Sequence, residues 1–311
     1  MSSTVHTNHP FSDSDSAHLG TSDVRFRRIV VATDFAAPAR CALQISAGLA
    51  AQFDAELSVV HAASPFLCST GDQPIPYEVL EQNLRDIKAE LANQISAVPL
   101  RMARDPRCFV GYGDPVQLIC DAARTQSADL IVVGTHGATG LERLALGSVA
   151  ECVLRGSLCP VLLVGPHCKP VPQLFRSILF ATDLKHTGLR PAQYAAALAE
   201  HTHGRLTCIH ILRYAPGTSA EEQAARESKA MHEMAMLLPG NLPSNCIASL
   251  KVEVGQPAEC IEVHALLESA SLIILGVRER FGFEDHSPHS TLAHVTRNAR
   301  CPVLGIRSHL A

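Results

Sequence analysis

The sequence predicts an α/β protein in which a parallel sheet covered by helices is built twice in tandem. Three observations carry that prediction. From Arg28 onward, short apolar runs alternate with segments of helical period, which is how parallel strands joined by crossover helices read. The same succession starts again near Ile178, with short motifs recurring at fixed offsets. One apolar run, Leu130 to Val133, leads into a glycine-rich loop and then a helix, the local arrangement of an anion site.

At 311 residues the chain is long enough for two domains, each able to bury its own core. With 47% apolar and 18% charged residues it reads as globular, and no apolar run approaches the roughly 20 residues needed to span a bilayer. The start has no signal-peptide h-region, so a cytoplasmic location is expected. A formal net charge of −4 gives no general electrostatic case for nucleic acid or membrane as a partner. The cysteines are odd in number (11), scattered and without a CxxC pair. Cys41, Cys120, Cys152 and Cys208 lie inside apolar segments, so the expectation is small buried hydrophobes, with redox sensing as the other reading.

Residues 1–24 are rich in Ser, His, Asp and Thr and are expected to form a disordered tail, with His6, His9 and His18 solvated rather than metal-bound. The first domain is expected over 25–165. Its strands are Ile29–Thr33 (ended by Asp34), Leu57–His61, Arg107–Gly111, Asp129–Val133 and Pro160–Val164. Its helices run from Pro38 to Ala51 with Leu43, Ala47 and Ala50 on one face, from Tyr77 to about Val98 after a proline-containing loop over 63–76, from Pro115 to Thr125, and onward from Ser148. A proline-containing linker follows over 166–175, and a second domain over 176–311.

The second domain repeats the first. Ile178-Leu179-Phe180-Ala181-Thr182-Asp183 matches the run ending at Asp34 at an offset of 183 − 34 = 149, and Leu206 to His210 matches Leu57 to His61 at 210 − 61 = 149. Gly255-Gln256-Pro257 matches Gly113-Asp114-Pro115, and Cys301-Pro302-Val303 matches Cys159-Pro160-Val161, both at 301 − 159 = 142. The second copy is therefore shorter in its middle, where the loop and second helix vary.

The loop reads Gly134-Thr135-His136-Gly137-Ala138-Thr139-Gly140, followed by Gly147-Ser148. Glycines let the backbone approach an anion closely, and the free amides and dipole of the following helix favour negative charge. No lysine follows as in a P-loop, and no GxGxxG stands behind the first strand. The pattern Gly-2x-Gly-9x-Gly-Ser, continued by Val149-Ala150-Glu151, closed by Cys159-Pro160-Val161 and combined with Asp34 and the repeat, resembles a tandem universal stress protein from Arg27 to Arg307.

The resemblance implies two open five-stranded parallel sheets of order 3-2-1-4-5, paired as an internal pseudo-dimer through Val161 to Val164 and Val303 to Ile306. A ligand would sit at the carboxyl ends of the strands, as the switch-point rule for doubly wound sheets also requires. It implies ATP as the ligand, with Ala32, Thr33, Asp34, Val60, His61 and Ala62 near the base or ribose. Gly134, Gly137, Gly147, Ser148, Val149 and Ala150 would meet the phosphates, with a Mg²⁺ contact through Ser148. His136 in the loop reads as a phosphate contact or as a solvated side chain. For Asp34 the residues also allow plain capping of nearby amides. No histidine or lysine in the motif is placed to activate Ser148, and no base or arginine finger is recognisable, so no catalytic residue is expected. The expected function is an ATP-binding regulatory or stress-response module with an unknown protein partner, possible as a homodimer; the alternatives are a ligand-free scaffold and a slow ATPase.

The second copy departs from the motif. Gly276 aligns with Gly134, but Glu279 and His289 replace the next two glycines, and only Ser290 of the Gly-Ser pair remains. A carboxylate where phosphate oxygens are expected repels them, so this half is predicted not to bind ATP although Asp183 is kept. Arg278 and Arg280 would offset part of that charge. His286, His289 and His294, near Glu284 and Asp285, raise a metal cluster as an alternative; His201 and His203 are expected to serve a helix C-terminus.

Overall fold

The computed structural model describes residues 24–64, 75–99, 104–135, 146–170, 173–185, 188–239, 246, 248–277 and 290–307. The N-terminal tail with its three histidines, His136, Gly137, Gly140, Arg278, Glu279, Arg280, Glu284, Asp285, His286 and His289 lie outside them.

The first half runs β1 (Arg28–Ala32), α1 (Ala37–Phe53), β2 (Glu56–Ala63), α2 (Tyr77–Ser96), β3 (Arg107–Tyr112), α3 (Pro115–Thr125), β4 (Leu130–Gly134), α4 (Ser148–Gly156) and β5 (Val161–Val164). The second runs β6 (Ser177–Thr182), α5 (Leu189–Thr202), β7 (Arg205–Leu212), α6 (Ala220–Leu237), β8 (Ala248–Val254), α7 (Pro257–Leu267), β9 (Leu272–Val277), α8 (Thr291–Asn298) and β10 (Val303–Arg307). Most sequence-derived bounds hold within two residues. β2 is longer than expected and carries Ala62 and Ala63 into the ladder, because β3 pairs with it as far as Tyr112.

Each half keeps the expected order 3-2-1-4-5 and the fifth strands meet as expected, but the count of two sheets is corrected: the strands form one ten-stranded sheet, β3-β2-β1-β4-β5-β10-β9-β6-β7-β8. β5 and β10 pair antiparallel, Val303 with Leu163, Leu304 with Leu162 and Gly305 with Val161, while the other pairings are parallel. All four β5 residues are buried. A short strand this apolar would leave a bare hydrogen-bonding edge unless another strand covered it, and the ladder with β10 does so.

Both sheet faces are covered, which is why the central strands are continuous apolar runs without alternation. Alternate residues of β5 feed two core layers. Leu162 and Val164 join Leu304, Ile306 and the buried faces of α1 and α5, while Val161 and Leu163 join Val303, Val153, Leu154 and Ile261 on the face of α3, α4, α7 and α8. Each layer runs through both halves without interruption at β5 and β10. An aromatic group fastens the first layer further: Phe53 meets Phe26 edge-on at 5.5 Å and Phe175 at 5.7 Å, and stacks on His201 at 5.3 Å. His203 takes the left-handed C-cap of α5 at φ 52°, as its position predicts.

Two glycines set how closely elements approach. A Cβ on Gly165, just after β5, would lie 2.1 Å from the Thr296 carbonyl oxygen of α8. One on Gly204 would lie 2.0 Å from the Phe175 carbonyl oxygen. Among the cysteines, Cys208 is buried as expected, but Cys152 is exposed, because α4 turns Ala150, Val153 and Leu154 inward and leaves position 152 outside.

Candidate functional site

The order β2-β1-β4 places the chain reversal between β1 and β4, since β1 has strands leading away from it on both sides. Registers Ala32 with Val60 and Val31 with Val132 bring the ends of β1, β2 and β4 to one edge. Thr33 and Asp34, His61 and Ala62, and Gly134 and Thr135 therefore share the carboxyl rim.

Local hydrogen bonds fix the turn after β1. The buried Thr33 donates its amide to the Val60 carbonyl oxygen at 2.9 Å, and its hydroxyl accepts from the Phe35 amide at 3.1 Å. Asp34 Oδ1 accepts from the Ala36 amide at 3.0 Å while the residue itself stays exposed. These bonds hold Phe35 at a positive φ of 66°, which bulky residues seldom adopt. The Phe35 ring then stacks on His61 with centroids 4.4 Å apart. His61 Nδ1 stands 2.8 Å from the Thr33 carbonyl oxygen. A carbonyl only accepts, so Nδ1 carries a proton. Burial, the largest influence, pushes the His61 pKa down, against the Thr33 bond and the Asp34 charge.

The phosphate side is built from the end of β4 and the start of α4. A Cβ on Gly134 would lie 2.9 Å from the Ala39 amide nitrogen and 3.0 Å from the Pro38 carbonyl carbon, so glycine is what lets α1 close against β4. Thr135, fully buried, donates its amide to Val164 at 3.1 Å and accepts from Gly147 at 2.8 Å, which ties the two ends of segment 136–145 together. Gly147 is the N-cap of α4 and contributes no side chain. The first-turn amides of Ser148, Val149 and Ala150 thus meet no side-chain cap among the described residues. Ser148 itself is exposed, Val149 partly buried and Ala150 buried. Ala36, the N-cap of α1, likewise offers no side-chain cap among the described residues, so the starts of α1 and α4 stand together at this rim.

The second half reproduces the first part of this arrangement. The Thr182 hydroxyl accepts from Leu184, Asp183 Oδ1 accepts from Lys185, and Leu184 takes φ 56°. It differs at the helix start. Ser290, aligned with Ser148, is the N-cap of α8, and its hydroxyl accepts from the Ala293 amide at 3.2 Å. The first intrahelical bonds agree: Glu151 donates to Gly147 in α4, His294 to Ser290 in α8. The helix start has moved one residue relative to the alignment. Of the proposed metal histidines, His294 is described, and it stands 3.3 Å from Glu262 Oε1; no group of three or more metal-ligating side chains occurs among the described residues.

Sequence reasoning missed Phe35 and the approach of α1 to Gly134. An aromatic directly behind Asp34, where the second copy has Leu184, is the signal that marks the former.

The fold and its rims define the class: a tandem, doubly wound α/β protein with one topological switch point in each half. The model of the universal stress protein family matches residues 25–165 and again 174–307, and the chain belongs to that family. It is 32% identical over 141 residues to a universal stress protein of Methanocaldococcus jannaschii, covering 45% of this chain and 82% of that one. Its identity to a universal stress protein of Thermus aquaticus is 34% over 141 residues, covering 45% and 98%. The solved structure of a universal stress protein from Archaeoglobus fulgidus superposes with a TM-score of 0.63 at 22% identity, covering 91% of this chain and 98% of that one. That likeness concerns the fold. Among the described residues no helix is long and apolar enough to cross a membrane.

Proposed function

We propose that the chain binds ATP in the crevice of its first half, one nucleotide per chain, and acts as a regulatory stress-response module with little or no hydrolysis. The observation that carries this reading is the contrast between the two helix starts: among the described residues the first-turn amides of α4 meet no side-chain cap, whereas α8 uses Ser290 to cap its own. Open amides on a helix N-terminus fit a polyanion, and a capped start does not. Bound ATP would supply the negative charge that these amides and the α4 dipole offset.

In this reading Gly134, His136, Gly137, Gly147, Ser148, Val149 and Ala150 hold the phosphates. The exposed Ser148 hydroxyl, not spent on a cap, is left for phosphate or Mg²⁺. Ala32, Thr33, Asp34, Val60, His61 and Ala62 form the base and ribose end. The Thr33 amide is committed to Val60, so specificity for the base falls to the exposed Asp34 carboxylate. The domains are taken as 25–165 and 176–311, joined by 166–175.

Titration calorimetry of the full chain with ATP, with and without Mg²⁺, tests the proposal. One ATP bound per chain, lost in Gly147→Asp, is the expected result. Absence of binding at millimolar ATP overturns it in favour of a ligand-free scaffold; sustained phosphate release from the wild-type chain would instead mark a slow ATPase.

A further inference from the structure

Cys41 lies in the second turn of α1, and Cys168 lies in the connection that leaves β5, 168 − 41 = 127 residues later. The fold brings them into contact. Cys41 Sγ donates to the Cys168 carbonyl oxygen at 3.5 Å, and Cys168 Sγ reaches the Lys169 carbonyl oxygen at 3.7 Å. A carbonyl oxygen is about 2.4 Å from its own Cα, so Cys41 sulfur stands within about 6 Å of the Cys168 Cα. The Cys41 sulfur therefore lies within reach of the Cys168 side chain, the proximity that a disulfide requires.

The two thiols are also unequal. Cys168 is 8% exposed, while Cys41 is only partly buried and meets solvent first. The interaction with Cys168 holds the Cys41 pKa below the ordinary 9.0, while the same interaction and burial push Cys168 up. Cys301, also near Cys168, is buried and pushed up to about 12, which leaves it a poor nucleophile.

We propose that Cys41 and Cys168 are a redox-active dithiol that hydroperoxides convert to a disulfide, stapling α1 to the segment between the two halves. The Cys41 thiolate attacks a peroxide oxygen; the O–O bond breaks, leaving a sulfenic acid on Cys41 and a hydroxide or alkoxide that takes up a proton. The Cys168 sulfur attacks the Cys41 sulfur, and its proton departs with the sulfenic hydroxyl as water. Two thiols lose two electrons, and the peroxide is reduced to water and an alcohol, or to two waters. The staple holds the helix whose first turn closes against Gly134.

The full-length chain, reduced, desalted and treated with equimolar hydrogen peroxide, is alkylated under denaturing conditions and mapped by mass spectrometry. The expected result is a linked peptide pair containing Cys41 and Cys168, with an intact-mass loss of about 2 Da. The denaturation midpoint rises and returns on reduction with dithiothreitol. The link is absent in Cys41→Ser and Cys168→Ser and kept in Cys301→Ser. The proposal fails if both wild-type thiols are recovered alkylated, if Cys41 accumulates as sulfinic acid without a link, or if either cysteine pairs elsewhere. The wild-type map decides the matter even if a variant does not fold.

Discussion

His61 donates its Nδ1 proton to the Thr33 carbonyl oxygen at 2.8 Å, and His210 stands at the same distance from Thr182 in the other half. In both halves a strand β2-type histidine locks the turn that carries the Asp34 or Asp183 carboxylate. Burial holds His61 below its ordinary 6.5 in the folded chain. The unfolded chain then binds the proton more readily, so this histidine's contribution is whole above pH 6.5 and declines as pH falls through it. Urea denaturation at about pH 7.5 and about pH 5.5 should show a larger loss on acidification for wild type than for His61→Gln, which keeps a donor but cannot titrate. Equal losses would refute the assignment.

Gly147→Asp is expected to move stability and binding in opposite directions. A carboxylate at the N-cap satisfies α4 amides and complements its dipole, adding about 0.3–1 kcal/mol. The same carboxylate competes with phosphate, so ATP affinity should fall by more than about tenfold, or 1.4 kcal/mol. Ser290→Ala provides the control in the other half, costing about 1 kcal/mol of stability with ATP binding unchanged. Urea midpoints and calorimetric titrations of the two variants check both signs.

Gly134→Ala should destabilise the chain by about 1–3 kcal/mol, because the new methyl meets the backbone of Pro38 and Ala39 rather than a side chain that can swing away. ATP binding should weaken as well, since the rim of β4 shifts from α1. A variant with wild-type midpoint and affinity would show that α1 accommodates the methyl freely.

Gly165→Ala should cost more, at least about 3 kcal/mol, since its Cβ would stand 2.1 Å from the Thr296 carbonyl oxygen. By contrast, Leu158→Ala removes a side chain that is 60% exposed and should change stability by less than about 0.5 kcal/mol. Thermal midpoints of the two variants, compared side by side, test whether the approach of α8 to the end of β5 is as tight as the geometry requires.

Much of the fold was legible because the sequence contains its own comparison. Asp34 and Asp183, at an offset of 149, do share one turn geometry, and the motif glycine Gly134 does stand at the switch point. The change at the helix starts was only half legible. Alignment places Ser148 against Ser290, yet one is the first helical residue and the other the cap, because a residue's role at a helix end depends on where the preceding backbone leaves the extended region. The meeting of β5 with β10 was expected from the family resemblance alone. Val161 and Gly305 are 144 residues apart, and no local pattern encodes a ladder between them. The Phe35–His61 stack and the Cys41–Cys168 contact likewise arise from tertiary approach rather than from periodicity.

The antiparallel seam between β5 and β10 makes the molecule two-ended. Strands within each half run alike, and the seam reverses direction, so the carboxyl rim of the first half and that of the second lie at opposite ends of the sheet. The uncapped start of α4 and the Ser290-capped start of α8 therefore look away from each other, and no single small ligand can bridge them. The seam and the two uninterrupted core layers that cross it join those ends mechanically, so a join between repeats is also a route along which one end can act on the other.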